Sequence, residues 1–228
     1  MGVKYVFVAA LLLIITYLPA FTLVSILMSG SSGFALVVKA NPWMAIPIIS
    51  SVTICIAMLL IAIVGKRRFA QYGFKLPKGS DVWKPLPVGF VVGTILNVLP
   101  EFGRVELTWM GQIPFPYFIL LSWMGLPIQE ELIFRGLFQG YLATHIQSSI
   151  KIWKWKLTVP ALIGAIVFSL VHLALLSVEA SLGGVLFIIV GAFILGIIAG
   201  YFRAETGSLI GPIIVHSLFN LTGTVFEL

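Results

Sequence analysis

The chain of 228 residues is 60% hydrophobic and only 10% charged, with a mean hydropathy of +1.11, a balance that excludes an ordinary soluble domain. At about 20 residues per helical span, such a chain crosses a bilayer about seven times with short connections and leaves nothing over for a soluble domain. The single cysteine, Cys55, excludes an intrachain disulfide scaffold. The net charge of +6 argues for membrane topology rather than nucleic acid, because its basic residues fall in the breaks between apolar runs.

Apolar runs set against charge, Gly and Pro predict a first span over about Tyr5 to Met28, too long for a signal-peptide core. A Ser/Gly turn follows, then a second span from Trp43 to Gly65. The segment from Lys66 to Lys84 carries six basic residues and one acid, Asp81, and reads as the strongest loop. A weaker third span covers about Leu86 to Pro100. The connection after it holds Glu101, Arg104 and Glu106, with Trp109, Phe115 and Tyr117 suited to the membrane interface. The fourth region runs from Phe118 to about His145, broken by Pro127. Beyond the basic stretch Lys151 to Lys156 come a fifth span, about Leu157 to Leu176, a sixth, about Val185 to Phe202, and a seventh, about Ser208 to Phe226. Placing Lys4, both basic loops and Arg203 in the cytoplasm satisfies eleven of the fourteen basic residues, so the amino terminus is expected inside. The predicted fold is an all-α polytopic bundle of about seven spans in a single integral-membrane domain, residues 1–228. The first three spans and their loops occupy 1–116 and the core that carries the chemistry 117–228. Four Gly-x-x-x-Gly spacings, Gly89/Gly93, Gly136/Gly140, Gly196/Gly200 and Gly207/Gly211, are candidates for close helix contacts.

A charge in the middle of a span costs about 2.5 to 3.5 kcal/mol on the mildest insertion scale, so ionisable residues there need a reason. They are Glu130, Glu131 and Arg135 in the fourth span, His172 in the fifth and His216 in the seventh, with Asn220 one turn beyond His216. Glu131 and Arg135, four apart, share a helix face and are expected to pair. Glu130 is turned about 100° from Glu131 and is left for another role. Phe168 and His172, and His216 and Asn220, repeat the four-residue spacing. Counted at about 1.5 Å per residue, Glu130 and His172 lie at about 21 to 23 Å from the cytoplasmic ends, Asn220 at about 18 Å and His216 a turn shallower.

Glu130-Glu131-Leu132-Ile133-Phe134-Arg135, Phe168-Ser169-Leu170-Val171-His172 and His216-Ser217-Leu218-Phe219-Asn220 resemble the ordered motifs EExxxR, FxxxH and HxxxN of the CPBP family. That family, also called Abi, comprises CAAX prenyl proteases and bacteriocin-processing enzymes. The likeness covers roughly the second half of the chain. It implies an intramembrane endopeptidase, a hydrolase of a multi-pass membrane such as a prokaryotic plasma membrane, with these residues on spans four, five and seven. Substrates would be membrane-associated peptides or lipidated proteins, prenylated CAAX-type tails included, and membrane lipids are the surroundings. The oligomeric state is not fixed by the sequence.

Peptide hydrolysis needs a base for water and a donor for the oxyanion. Glu130, desolvated in the bundle, suits the first task. His172 can share the water, and the resemblance implies His216 and Asn220 as oxyanion donors, with Glu131, Arg135 and Phe168 behind them. Glu130, His172 and His216 are also a conceivable three-ligand Zn²⁺ set with an open water position, although no His-Glu-x-x-His motif is present. Metal-free activation is favoured because Asn220 is a poor Zn²⁺ ligand and a good oxyanion donor. The alternative is a non-catalytic membrane immunity or scaffold protein, or a proton-coupled carrier using the same polar cluster. A carrier would be expected to show internal symmetry, and none is visible.

Overall fold

The computed structural model describes residues 2–98, 113–152, 155–178 and 181–227. Glu101, Arg104, Glu106, Trp109, Trp153 and Glu179 lie outside them.

Helix α1, Val3–Ser29, and helix α3, Ala45–Val64, match the first two expected spans and pack on each other. Between them the sequence predicts only a turn. The structure instead adds α2, Gly33–Ala40, started by the Ser32 hydroxyl, which accepts the Ala35 N–H. A side-chain acceptor at the N-cap satisfies a helix donor that would otherwise be orphaned, and that local signal is stronger here than the Gly and Ser composition of the turn. Helix α4 is Pro85–Val98. The fourth region is one helical rod, α5, over 115–145, built of α-helical turns and two wider stretches, Leu120–Gly125 and Leu132–Phe138, bonded i→i+5.

The basic stretch expected as a plain loop forms a small hairpin of β1, Ser149–Ile152, and β2, Trp155–Thr158, antiparallel with Ser149 opposite Thr158. Ile150, Ile152 and Trp155 supply the β-branched and aromatic content that strands favour. Helix α6, Val159–Leu170, is capped by Thr158 and tightens into a 3₁₀ stretch, Val171–Val178. Helix α7 is Leu182–Thr206, and α8 is Ile210–Glu227. Gly207 joins these two at φ +65°, a left-handed conformation that closes α7.

Among the described residues four helical stretches are long and apolar enough to cross a membrane, Val3–Ser29, Pro42–Val64, Val159–Ser177 and Leu182–Thr206; Pro85–Val98 and Ile210–Gly223 are apolar but shorter. The protein is an integral membrane helix bundle. Large apolar side chains such as Phe7, Ile14, Leu18, Leu59 and Ile63 are exposed, as expected of surfaces that face lipid.

The core surrounds α5, where residues 131–140 are all buried. Two of the glycine spacings are close contacts. A Cβ at Gly196 would lie 2.9 Å from Ala165 Cα, and one at Gly200 3.0 Å from Ala161 Cβ, so α6 and α7 touch backbone to backbone. Gly89 and Gly93 do the same for α4 against Val215 and Phe219 of α8, each at 2.9 Å from a Cα. Gly136 meets nothing closer than 3.4 Å, a Cβ at Gly140 would lie 2.9 Å from the Tyr72 ring, and Gly207, needed for its turn, faces the Lys75 side chain rather than another helix. Close packing of α4 on α8 and of α6 on α7 brings the elements that carry the motifs side by side around α5.

Candidate active site

The site begins with a defect in α5. In the wide stretch Leu120–Gly125 the Leu126 N–H reaches back to the Leu121 carbonyl rather than to Ser122. The next residue, Pro127, has no N–H to offer. The Ser122 carbonyl is therefore left without an intrahelical donor, and Asn220 on α8 donates its Nδ2–H to it at 2.8 Å. A buried carbonyl needs a partner, and supplying it from another helix fixes the plane of the Asn220 carboxamide.

Further along α5, Glu131, just before the second wide stretch, and Arg135, within it, point inward. Both are 0% exposed. Arg135 Nη1 lies 3.1 Å from Glu131 Oε1, and the same oxygen lies 2.8 Å from His216 Nδ1. A carboxylate only accepts, so His216 Nδ1 carries the hydrogen. The other ring nitrogen, Nε2, is 3.7 Å from Glu130 Oε2, longer than a hydrogen bond. The adjacent acids thus have different environments: Glu131 is held by two donors in the dry interior, while Glu130 is about one quarter exposed, at 24%.

Phe168 ties the motifs together. Its ring, 1% exposed, lies under the Arg135 guanidinium at 4.3 Å and meets the rings of His172 and His216 edge to face, with centroids 5.3 Å and 5.8 Å away. Its backbone carbonyl is 2.9 Å from His172 Nδ1. Because a carbonyl only accepts, His172 Nδ1 is the protonated nitrogen, and Nε2 of the neutral ring is an acceptor. The aromatic residue four places before this histidine therefore sets its tautomer through the main chain and its orientation through the ring.

Phe168, His172, His216 and Asn220 line one cavity of about 180 Å³ whose remaining wall is mostly apolar. Glu130 is not a lining residue; it meets this group through His216. Asn97 of α4, which the sequence reading passed over, also lines the cavity. Its Nδ2 donates to the carbonyls of Gly93 and Phe219 and to Thr222 Oγ1, at 2.8 to 3.1 Å, holding α4 to the turn that carries Asn220. An uncharged amide in the apolar third span was the available signal. Tyr17 of α1 lies within electrostatic reach of Glu130, and Ser50 of α3 donates to Gln129 Oε1 at 2.7 Å, so the first half of the chain also borders the site.

Among the described residues no three His, Cys, Asp or Glu side chains are grouped to hold one ion; the contact of His216 Nδ1 with Glu131 leaves Nε2, the nitrogen a metal would use, facing Glu130.

Residues 112–222 match the family described as type II CAAX prenyl endopeptidase Rce1-like. No curated protein and no solved structure matches the chain. The matched stretch contains all three motifs, and the ion pair, both histidines, Phe168 and Asn220 fall within it. Over residues 112–222, therefore, the protein carries an Rce1-like type II CAAX prenyl endopeptidase domain.

Proposed function

We propose that the protein is an intramembrane endopeptidase in which Glu130 activates water and His216 and Asn220 stabilise the oxyanion. The observation that carries this reading is the position of His216, whose ring lines the cavity shared with His172 and Asn220 while its two nitrogens face the two adjacent glutamates. With both nitrogens protonated, His216 gives Nδ1–H to Glu131 and directs Nε2–H toward Glu130 and the cavity. The charges of the cluster then sum to zero, Glu130 and Glu131 against Arg135 and His216, which offsets part of the cost of placing them in a membrane.

Water bound between Glu130 and the acceptor Nε2 of His172 loses a proton to Glu130 as its oxygen attacks the scissile carbonyl carbon. Protonation of Glu130 gives the cluster net positive charge as the oxyanion forms, and the donors on α8 receive that charge. Glu130 then delivers its proton to the leaving nitrogen, and the C–N bond breaks. The bundle is read as seven spans with the amino terminus cytoplasmic, and the substrate as a membrane-associated peptide, prenylated CAAX-type tails included.

The test is cleavage of a farnesylated CAAX-type peptide by the full chain reconstituted in vesicles. Wild type should cleave it and Glu130→Ala should not, while both are retained at equal levels in the membrane. Equal cleavage by the two proteins would refute the assignment of Glu130.

A further inference from the structure

A second polar cavity, of about 200 Å³, lies at the other end of α5, with Gln71, Gln139, Gln147, Ser148, Thr158 and Arg203 among its lining residues. Arg203 sits in the last turn of α7 and is only 7% exposed. Its Nη2 donates to the Gln71 carbonyl at 2.7 Å, and its Nε is buried without a hydrogen-bond partner. Among the described residues no carboxylate forms an ion pair with it. The nearby acids are engaged elsewhere: Asp81 pairs with Lys84 at 2.6 Å, and Glu205, exposed and about 200° around the helix from Arg203, exerts its field on that same lysine.

A second cation converges on Arg203. A Cβ built at Gly207 would touch the Lys75 ammonium and lie 3.9 Å from Arg203 Nη1, so the two charged heads flank this glycine. Gly73, at φ +101°, packs its backbone against the Nε edge of the guanidinium, since a Cβ there would lie 2.9 Å from Nε and 3.3 Å from Cζ. A buried guanidinium with no counter-charge is costly. An anion that accepts from its Nη1 side and from Lys75 would remove that cost, and Ser148 and Thr158 add hydroxyl groups to the cavity wall.

We propose that a phosphate group binds at the edge of this cavity, held by Arg203 of its lining and by Lys75, whose ammonium lies outside the lining beside Gly207. Arginine suits the tetrahedral oxygens of phosphate because its planar fork can offer parallel N–H donors. The level of the cavity points to a phospholipid headgroup as the source. Trp155 packs its ring tilted against Tyr201, with centroids 4.9 Å apart, and Trp155, Leu76 and Trp83 are exposed, as interfacial aromatic and apolar residues are. Basic residues crowd the same connection, as at surfaces that meet anionic lipid. This site is separate from the proposed hydrolytic centre and does not depend on it.

The experiment is a melting titration of the full chain, purified in nonionic detergent, with dioctanoyl phosphatidylglycerol, dioctanoyl phosphatidylcholine or inorganic phosphate, against chloride at matched ionic strength. Wild type should show a saturable rise in Tm with phosphatidylglycerol that exceeds the phosphatidylcholine response. Lys75→Gln, at an exposed position, should weaken the apparent affinity about tenfold or more, as loss of a hydrogen bond to a charged group does. Lys78→Gln, in the same connection, should leave it within about twofold, as a solvent-exposed charge screened by salt would. Arg203→Gln should abolish the response; if that variant does not fold, Lys75→Gln against Lys78→Gln decides. A saturable response to inorganic phosphate as well would identify the phosphate group itself as the ligand, whereas a response to phosphatidylglycerol alone would make the lipid tails part of it. No saturable response to either probe, or equal weakening by Lys75→Gln and Lys78→Gln, would overturn the proposal.

Discussion

Arg135 and Arg203 are both buried in apolar helices, yet their surroundings are opposite. Arg135 has Glu131 at 3.1 Å and the Phe168 ring at 4.3 Å. Arg203 has a main-chain carbonyl at 2.7 Å and a neighbouring lysine, with no described carboxylate in pairing range. The first region compensates its charge internally and so fixes three helices against one another. In the second no described carboxylate supplies the compensating charge. Burial of an arginine alone therefore says little about its role; the counter-charge does.

The mutational consequences should follow that difference. After the loss of Glu130, the largest effect is expected from Glu131→Gln, which leaves Arg135 without its counter-charge and His216 without its acceptor carboxylate. Breaking a buried pair costs about 3 to 5 kcal/mol, read as a lower melting temperature of the purified variant. Changing Arg135 to Gln in the same chain should restore part of that stability and little activity. Phe168→Leu keeps an apolar filler but removes the ring between Arg135 and both histidines. It should cost about 2 kcal/mol, the value of a desolvated cation–π contact, and lower the cleavage rate at the same time.

Arg203→Met makes the contrast sharper. Removing an uncompensated buried charge breaks no ion pair, so without anionic lipid the change should fall within about 1 kcal/mol of neutral, on either side. A loss as large as that of Glu131→Gln would show that Arg203 has an internal counter-charge after all. The smallest effect is expected from Pro127→Ala. It returns an N–H to α5 beneath the Ser122 carbonyl, so the helix competes with Asn220 for that acceptor. Cleavage should fall severalfold, while the melting temperature stays level or rises because a helix-interior proline is disfavoured by about 3 kcal/mol.

The helices of four expected spans and the Glu131–Arg135 pair were legible in the sequence, because both depend on local periodicity: apolar run length for the first and a four-residue spacing for the second. The link from Asn220 to Ser122 was not legible. It needs a wide turn and a proline to act together on one carbonyl, and nothing in residue spacing shows where a helix adopts i→i+5 bonding. Asn97 carries no charge that would mark it in an apolar run, and its role comes from the close approach of α4 to α8 at Gly89 and Gly93. Arg203 was read only as a marker of topology. Its environment is made by Gln71, Gly73 and Lys75, more than a hundred residues away in the chain, and the hairpin beside it was hidden in a stretch read by its charge.

The division of labour between Glu130 and Glu131 is tested most directly by measuring cleavage rate and melting temperature side by side for Glu130→Gln and Glu131→Gln. Glu130→Gln should melt close to wild type and hydrolyse about 10² to 10⁴-fold more slowly, the usual cost of losing a positioned base. Glu131→Gln should melt early. A stable, inactive Glu131→Gln together with an early-melting Glu130→Gln would contradict the account and make Glu131 the base.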